Sequence, residues 1–330
     1  MGSGRWSTDV YDAAARMRRT TGTSAFAYSD SGARKVHDRL NPFGVTRESR
    51  DNAEHPQSLA IAVLFDVTGS MRRVPRTLQE KLPGLLGLLL RKGYVADPHI
   101  LFGAIGDATC DRVPLQIGQF ESDNRMDEDL GRIVLEGGGG GQMTESYELA
   151  LYFMARHTSI DCYEKRGRRG YLFLIGDELP YPRVDAGQVR SIIGDELREP
   201  IATTAMMAEL RRRYHVYYIL PTGSSYAGDT RVLDAWRDLL GQNVIELDDL
   251  DAVCETIGLT IGLNEGAIDL ARGLADLAEV GSTAGATVGR ALARVDSGAV
   301  AQRRRGAVSD VALAGPDRAD DGGDEGIIRL

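Results

Sequence analysis

The chain has 330 residues, of which 42% are hydrophobic and 26% are charged, and its formal net charge is −9. This length and apolar content can fill the core of one large domain with appendages or of two small domains. The acidic balance and the aromatic content of only 6% argue against a general nucleic-acid surface.

The first 56 residues are predicted to form an N-terminal extension. One amphipathic helix is expected over Thr8–Arg19, with an apolar face of Val10, Ala14 and Met17. The segment 20–57 is polar with few apolar anchors, so we expect it to wrap around the following domain or to be partly disordered. A solvated extension is favoured here, and a binding arm is the alternative.

A buried strand then ends in a cluster of oxygen-bearing side chains. The apolar run 59–65 predicts a strand buried on both faces, as in a parallel sheet. Asp66, Thr68 and Ser70 follow at its carboxyl end, which is where open α/β sheets bind ligands. One carboxylate and two hydroxyls at alternate positions suit Mg²⁺ or Mn²⁺, with water completing the octahedron.

The segment Asp66-x-Thr68-Gly69-Ser70-Met71 after a hydrophobic strand resembles the first metal-site motif of von Willebrand factor A (VWA) domains of the intracellular bacterial type. Most of that family has serine where Thr68 stands, and threonine keeps the hydroxyl. The resemblance implies two further residues in order, and Thr144 and Asp177 match them. It therefore implies a metal-ion-dependent adhesion site (MIDAS) that binds Mg²⁺ or Mn²⁺ through Asp66, Thr68, Ser70, Thr144 and Asp177.

The remaining segments alternate between predicted helices and strands, which indicates a mainly parallel sheet with helices on both faces. The fold class is therefore α/β, Rossmann-like and doubly wound with six strands, and the VWA resemblance covers 57–262 with one antiparallel edge strand. The later strands are expected at His99–Ile105, Val113–Phe120 (the edge strand), Tyr171–Ile175, Val216–Leu220 and Val244–Leu247. The helices are expected at Pro75–Lys92, Asp123–Glu136, Glu145–Arg156, Val184–Leu197, Thr203–Arg213, Thr230–Leu240 and Leu250–Gly262.

Three features near the predicted site leave alternatives open. The glycine run 137–141 is not followed by Gly-Lys-[Ser/Thr], which excludes a P-loop, and it is either a linker or a loop that presents Thr144 to the metal. Its similarity to the VWA pattern Gly-Gly-x-x-Thr favours the second interpretation. Asp107 ends another strand, either beside the metal or as a turn residue. Glu178 stands where VWA domains commonly have glycine, which leaves the turn after Asp177 open.

The segment after the domain has a different composition. Residues 263–300 are rich in alanine and glycine and are predicted to form a helical appendage, and 301–330 are predicted to be a disordered tail. The tail ends in the apolar cluster 327–330. A passive tail is favoured over a docking peptide.

The VWA resemblance implies a non-enzymatic adaptor that grips a carboxylate of a protein partner through the metal. Intracellular relatives often work beside an AAA+ ATPase, which here would be another chain because no Walker motif is present. No nucleic acid or membrane partner is expected, since the most apolar stretch, 85–90, is too short to span a bilayer. Three widely spaced cysteines predict reduced thiols and a cytoplasmic location.

The sequence leaves two other functions open. The segment Asp66-Val67-Thr68-Gly69-Ser70 also resembles the phosphorylation motif of P-type ATPases and haloacid-dehalogenase-like phosphotransferases, with Asp66 as nucleophile and Gly176-Asp177 as the Mg²⁺ motif. Against this, Val67 replaces a lysine, and Thr68 stands where those relatives usually need a second aspartate. RNA binding is the third possibility, and the acidic composition argues against it.

Overall fold

A six-stranded sheet forms the centre of the computed structural model, which describes residues 4–136 and 143–293. Its strands are β1 (Ser58–Asp66), β2 (Asp97–Ile105), β3 (Leu115–Ile117), β4 (Gly170–Ile175), β5 (Tyr214–Pro221) and β6 (Val244–Leu247). They lie in the order β6-β5-β4-β1-β2-β3, and every neighbouring pair is parallel except β2 and β3. The predicted fold class, a mainly parallel six-stranded sheet with one antiparallel edge strand, is therefore confirmed.

Helices flank this sheet. They are α1 (Thr8–Thr21), α2 (Ala27–Asp30), α3 (Arg73–Leu86), α4 (Arg125–Gly131), α5 (Tyr147–Arg156), α6 (Asp161–Glu164), α7 (Ala186–Gln188), α8 (Thr203–Leu210), α9 (Thr230–Leu240), α10 (Val253–Asn264) and α11 (Leu270–Glu279), and 285–293 are also helical. Segments of π-helix follow α3 at Gly87–Arg91 and α7 at Val189–Ile193. Short 3₁₀ turns are found at Asp38–Leu40, Gly69–Arg72, Gly241–Asn243 and Leu250–Ala252.

Three pairs of very short strands lie outside the central sheet. Arg47–Ser49 pairs in parallel with Thr158–Ile160, and Arg183–Val184 pairs antiparallel with Ile201–Ala202. The third pair, Thr144–Glu145 with Leu179–Pro180, is parallel and lies beside the predicted metal site.

The core explains why these segments form strands. All nine residues of β1 and all nine of β2 are buried, as expected for central strands of a sheet covered on both faces. Helix α3 continues through Pro83 and then widens into the π segment. A π segment accommodates an irregular hydrogen-bond ladder without ending the helix, so Pro83 does not split this element.

The N-terminal segment lies against the domain. Helix α1 begins after Ser7, whose hydroxyl accepts a hydrogen bond from the Val10 N–H, so the predicted helix is present. Its predicted apolar face is wrong, because Val10 and Met17 are 55% and 70% exposed while Tyr11 is buried. Phe26 and Leu40, by contrast, are completely buried in the core.

The chain order of the strands locates the crevice. Strand order reverses between β1 and β4, which are neighbours although two strands separate them in sequence. Ligands of open α/β sheets bind outside the carboxyl ends of strands at such a switch point.

Within 4–136 and 143–293, no helix has the length and apolar character needed to cross a membrane. The division at 57, 263 and 301 stays a prediction, and the predicted tail 301–330 and the end of the appendage lie outside the described residues.

Candidate metal centre

Three carboxylic acids meet at the switch point. Asp66, Glu145 and Glu178 are all buried, and each offers one oxygen that lies within 4.8 Å of the oxygens offered by the other two. Asp66 is the last residue of β1, and Glu178 follows β4 by three residues. In the described part of the chain this is the only group of three or more His, Cys, Asp or Glu side chains with such spacing.

The short parallel pair beside β4 brings Glu145 to this crevice. Thr144 lies opposite Leu179, and Glu145 lies opposite Pro180. The Leu179 N–H donates to the Met143 carbonyl at 3.0 Å, and the Ser146 N–H donates to the Gly106 carbonyl at 3.2 Å. These backbone hydrogen bonds tie the segment before α5 to the carboxyl edge of the sheet, so Glu145 is held beside Glu178.

Thr68 links two of the three acids. Both its N–H and its hydroxyl donate to Asp66 Oδ1, at 2.6 and 2.7 Å. The same hydroxyl lies 3.1 Å from Glu145 Oε1. A hydroxyl carries one proton, so it can donate fully to only one of these carboxyl groups at a time. A proton on Glu145, or a cation, would satisfy the remaining contact.

One oxygen of each acid has no hydrogen-bond partner in the described part of the chain. Asp66 Oδ2, Glu145 Oε2 and Glu178 Oε2 are buried without a donor among the described residues. An ionised carboxylate in such a position is costly unless a positive charge compensates it. Carboxylate oxygens are the ligands that Mg²⁺ and Mn²⁺ prefer, so this set of residues fits a divalent cation.

The pKa values of the cluster follow from the same burial. Burial raises the pKa of Asp66 well above its usual value, against the two hydrogen bonds from Thr68, and the charges of Glu178 and Asp177 raise it further. Burial also raises the pKa of Glu145, helped by Asp66 and Glu178. The pKa of Glu178 is raised mainly by burial and also by Asp177, while its hydrogen bond with Glu145 acts in the opposite direction. Without a cation the cluster therefore retains protons at neutral pH.

The structure places the five predicted ligands in different surroundings. Asp66 and Thr68 belong to the cluster. Thr144 is half-buried, next to Glu145, and its hydroxyl interacts with Tyr181. Asp177 is buried, and its Oδ2 accepts a hydrogen bond from the Tyr226 N–H at 3.2 Å. The predicted five-residue set remains a prediction.

Two parts of that prediction concern the Ser70 side chain and the glycine run, which the structure does not describe. Ser70 lies in the 3₁₀ turn Gly69–Arg72, but its side chain is not among those described. The glycine run 137–141 also lies outside the described residues.

Asp107 lies at the same edge of the sheet with its own set of donors. Its Oδ1 accepts from the N–H and the hydroxyl of Thr109, each at 2.8 Å. The Tyr181 hydroxyl donates to Asp107 at 3.0 Å. The hydrogen bonds from Thr109 are those of a turn residue, and Tyr181 connects this turn to the segment that follows Glu178.

Sequence reasoning missed Glu145 and Glu178 as candidate ligands. Each directly follows a predicted ligand, Thr144 or Asp177. The available signal was the presence of two extra carboxylates beside the two predicted positions, and Glu178 also stood where a glycine was expected.

Comparisons with known proteins come from solved structures. No model of a known protein family matches the chain, and no curated protein matches it in sequence. The pilus adhesin SpaC from Lactobacillus rhamnosus GG, in its open conformation, is similar over 69% of this chain and 33% of that chain, with 11% identity and a TM-score of 0.43. Proximal thread matrix protein 1 from the mussel byssus is similar over 66% of this chain and 49% of that chain, with 10% identity and a TM-score of 0.40. The chain thus spans between a third and a half of the length of these proteins.

Proposed function

We propose that this protein is a non-enzymatic, cytoplasmic binding module of the VWA type, whose contact with protein partners requires Mg²⁺ or Mn²⁺ at the Asp66–Glu145–Glu178 cluster. The observation that carries the proposal is a set of three buried carboxyl oxygens, at the switch point between β1 and β4, for which the described residues provide no donor. The motif Asp66-x-Thr68-Gly69-Ser70 at this place supports the VWA assignment. Free thiols at Cys110, Cys162 and Cys254 support a reducing compartment.

The charge of the cluster shapes how a partner would bind. A bound divalent cation would compensate the buried carboxylates and hold Asp66, Glu145 and Glu178 together. Three ionised acids would outweigh the two positive charges of the ion. A partner's Asp or Glu would therefore bind while Glu145 or Glu178 holds a proton, or after one of them has moved aside. We propose that these two glutamates tune the affinity for acidic partners.

The loops around the cluster offer a surface for such a partner. The loop 221–229 follows β5 at the carboxyl edge of the sheet, and Asp177 fixes it through the Tyr226 N–H. The loop that contains Tyr181 is joined to Asp107 on the other side. Polar loops on a rigid sheet are the usual place of recognition in α/β folds. An AAA+ ATPase remains the proposed class of working partner.

The phosphotransferase alternative is disfavoured by the charges at this place. Asp66 is completely buried, and its Oδ1 is occupied by Thr68. A phosphate approaching Oδ2 would meet Glu145 and Glu178, and each of these glutamates that is ionised would repel it strongly in a buried site. No specific observation favours an acyl phosphate on Asp66.

Affinity capture from native cells tests the proposal. The bait proteins are the wild type, Asp66→Asn, and the matched control Glu128→Gln, which removes a carboxylate from the exposed side of α4, away from the cluster and its loops. We expect partners that are retained by wild type and Glu128→Gln in Mg²⁺ and lost in chelator or with Asp66→Asn. Partners that bind all three proteins equally in excess chelator would show that binding uses another surface.

A further inference from the structure

Two arginine-rich runs meet at the edge of the sheet opposite to the carboxylate cluster. Residues 165–169 (Lys-Arg-Gly-Arg-Arg) precede β4, and the arginine triplet 211–213 precedes β5. These strands are parallel neighbours, with Gly170 opposite Tyr214, so the two runs lie side by side. This is a local concentration of positive charge on a chain whose net charge is −9.

Ion pairs neutralise four of the seven charged side chains in these runs, and Arg169, Arg211 and Arg212 have no acidic partner among the described residues. Paired are Lys165 with Asp161, Arg166 with Asp51, Arg168 with Glu265, and Arg213 with Glu164. Among the described residues, Arg169 and Arg211 form no ion pair. In the described part of the chain, each side chain donates only to a backbone carbonyl at 3.4 Å, Arg169 to that of Arg211 and Arg211 to that of Leu239. Both side chains are exposed and keep most of their donors for a ligand.

Arg169 and Arg211 line a cavity of about 490 Å³. This volume lies in the range of small-molecule sites. His215 also lines the cavity with its ring stacked on Tyr171, and its pKa is lowered to about 4 by burial and then by Arg169, so the ring is neutral at pH 7. The Asn243 amide donates to the Val216 carbonyl, which leaves the side-chain oxygen of Asn243 as an acceptor.

The other charged groups of the cavity are partly compensated. Arg237 is paired with Glu246 at 3.0 Å. Asp238 is an exposed acid at the cavity and forms no ion pair with either free arginine. The net positive charge of the cavity therefore comes from Arg169 and Arg211, and Asp238 opposes it.

We propose that this cavity binds a small molecule carrying a diphosphate or longer phosphate chain. Guanidinium groups bind phosphate oxygens through two parallel hydrogen bonds, and two neighbouring guanidiniums match two neighbouring phosphates. The neutral His215 and the Asn243 amide offer polar contacts to the remainder of the ligand. The phosphate site is independent of a cation at the carboxylate cluster, because the six residues of β4 separate the two edges of the sheet by roughly 17 Å.

Calorimetric titration with pyrophosphate and with ADP tests the proposal on the full chain. Excess chelator is present throughout, so that no cation at the carboxylate cluster can recruit the phosphates. The variants are Arg169→Gln, Arg211→Gln and Asp238→Asn. Arg212→Gln is the matched control, since Arg212 is an exposed neighbour that does not line the cavity. Asp66→Asn changes the carboxylate cluster and shows whether the other edge of the sheet takes part in phosphate binding.

We expect at least about tenfold weaker binding in Arg169→Gln and Arg211→Gln, because each loses charge-assisted hydrogen bonds. Binding should be unchanged in Arg212→Gln and Asp66→Asn, and tighter in Asp238→Asn. A loss in Arg212→Gln as large as in Arg211→Gln would overturn the proposal in favour of diffuse charge attraction. Absence of binding at millimolar pyrophosphate and ADP would overturn it as well. A parallel titration with vesicles of anionic phospholipids would also overturn it if binding occurred to the vesicles alone.

Discussion

The hydroxyl of Tyr147 occupies the space directly beside Gly176, so that a methyl group on Gly176 would collide with it. Gly176 connects β4 to Asp177 and Glu178, and Tyr147 begins α5 two residues after Glu145. This contact therefore sets the spacing between the two chain segments that carry the glutamates of the cluster. The Tyr147 ring is itself held edge-on against Trp236, with the ring centres 5.1 Å apart.

Gly176→Ala should destabilise the protein by about 1–3 kcal/mol, the usual cost of overpacking a buried position. Tyr147→Phe removes the atom that the new methyl group meets, so the double variant should recover part of this loss. Urea denaturation of the two single variants and the double variant measures the coupling. Strictly additive losses would show that the Tyr147 hydroxyl does not limit the space at Gly176.

The sheet could be predicted from the sequence because its strands carry their own signal. The residues before Asp66 form a continuous apolar run, which predicts a buried strand, and β1 is indeed buried along its whole length. The helical face of α1 could not be predicted in the same way. Tyr11 is buried there because its hydroxyl donates to the Gln79 carbonyl at 2.7 Å, a contact between residues 68 positions apart.

The candidate site could be predicted only in part for a related reason. Asp66 and Thr68 lie at the end of a strand whose position is fixed by its own apolar pattern. Glu145 reaches the crevice through a two-residue pairing with the segment 179–180, which is non-local and too short to show any periodicity. The side chains of neighbouring residues in an extended chain point to opposite sides. The sequence motif that identifies Thr144 therefore does not show whether Thr144 or Glu145 faces the crevice.

Leu40→Ala should destabilise the protein by about 2–5 kcal/mol, because Leu40 is completely buried although it belongs to the predicted N-terminal extension. Met17→Ala is the matched control, since Met17 is 70% exposed and its truncation should change stability by less than about 0.5 kcal/mol. Chemical denaturation of both variants measures the difference. Equal, small effects would show that the extension does not fold together with the sheet.

The metal-free protein should become less stable as the pH rises from about 5 to 8. Burial raises the pKa of Glu148 to about 8, while backbone hydrogen bonds at Glu148 and Tyr181 oppose the shift. In this window the folded state holds a proton that the unfolded state has lost, so unfolding becomes easier as the pH rises, by at most about 1.4 kcal/mol per pH unit for one such group.

Glu148→Gln should remove one group's share of this dependence, because glutamine cannot lose a proton, while the raised pKa values of Asp66, Glu145 and Glu178 maintain the rest. Denaturation in chelator at several pH values provides the measurement, with Glu128→Gln at an exposed position of α4 as the control. An unchanged slope in Glu148→Gln would mean that Glu148 is already ionised in the folded protein at low pH.

The effect of removing a cluster carboxylate on stability should depend on whether a divalent cation is bound. Wild type in Mg²⁺ at about a hundred times its dissociation constant should gain about 2.7 kcal/mol, since the ion binds only the native state. Asp66→Asn and Glu145→Gln should lose that gain. In chelator, the same variants should be as stable as wild type or more stable, because they remove a buried carboxyl whose ionisation is opposed by its neighbours.

Glu148→Gln is the control for this experiment, because it changes a buried glutamate outside the cluster and should retain the response to Mg²⁺. Binding of the ion must also displace the protons that the cluster holds, so it should release protons near pH 7. Calorimetry in buffers of different ionisation enthalpy counts them. If Asp66→Asn were stabilised by Mg²⁺ as much as wild type, the ion would bind elsewhere on the protein. Cation binding without proton release would lead to the same conclusion.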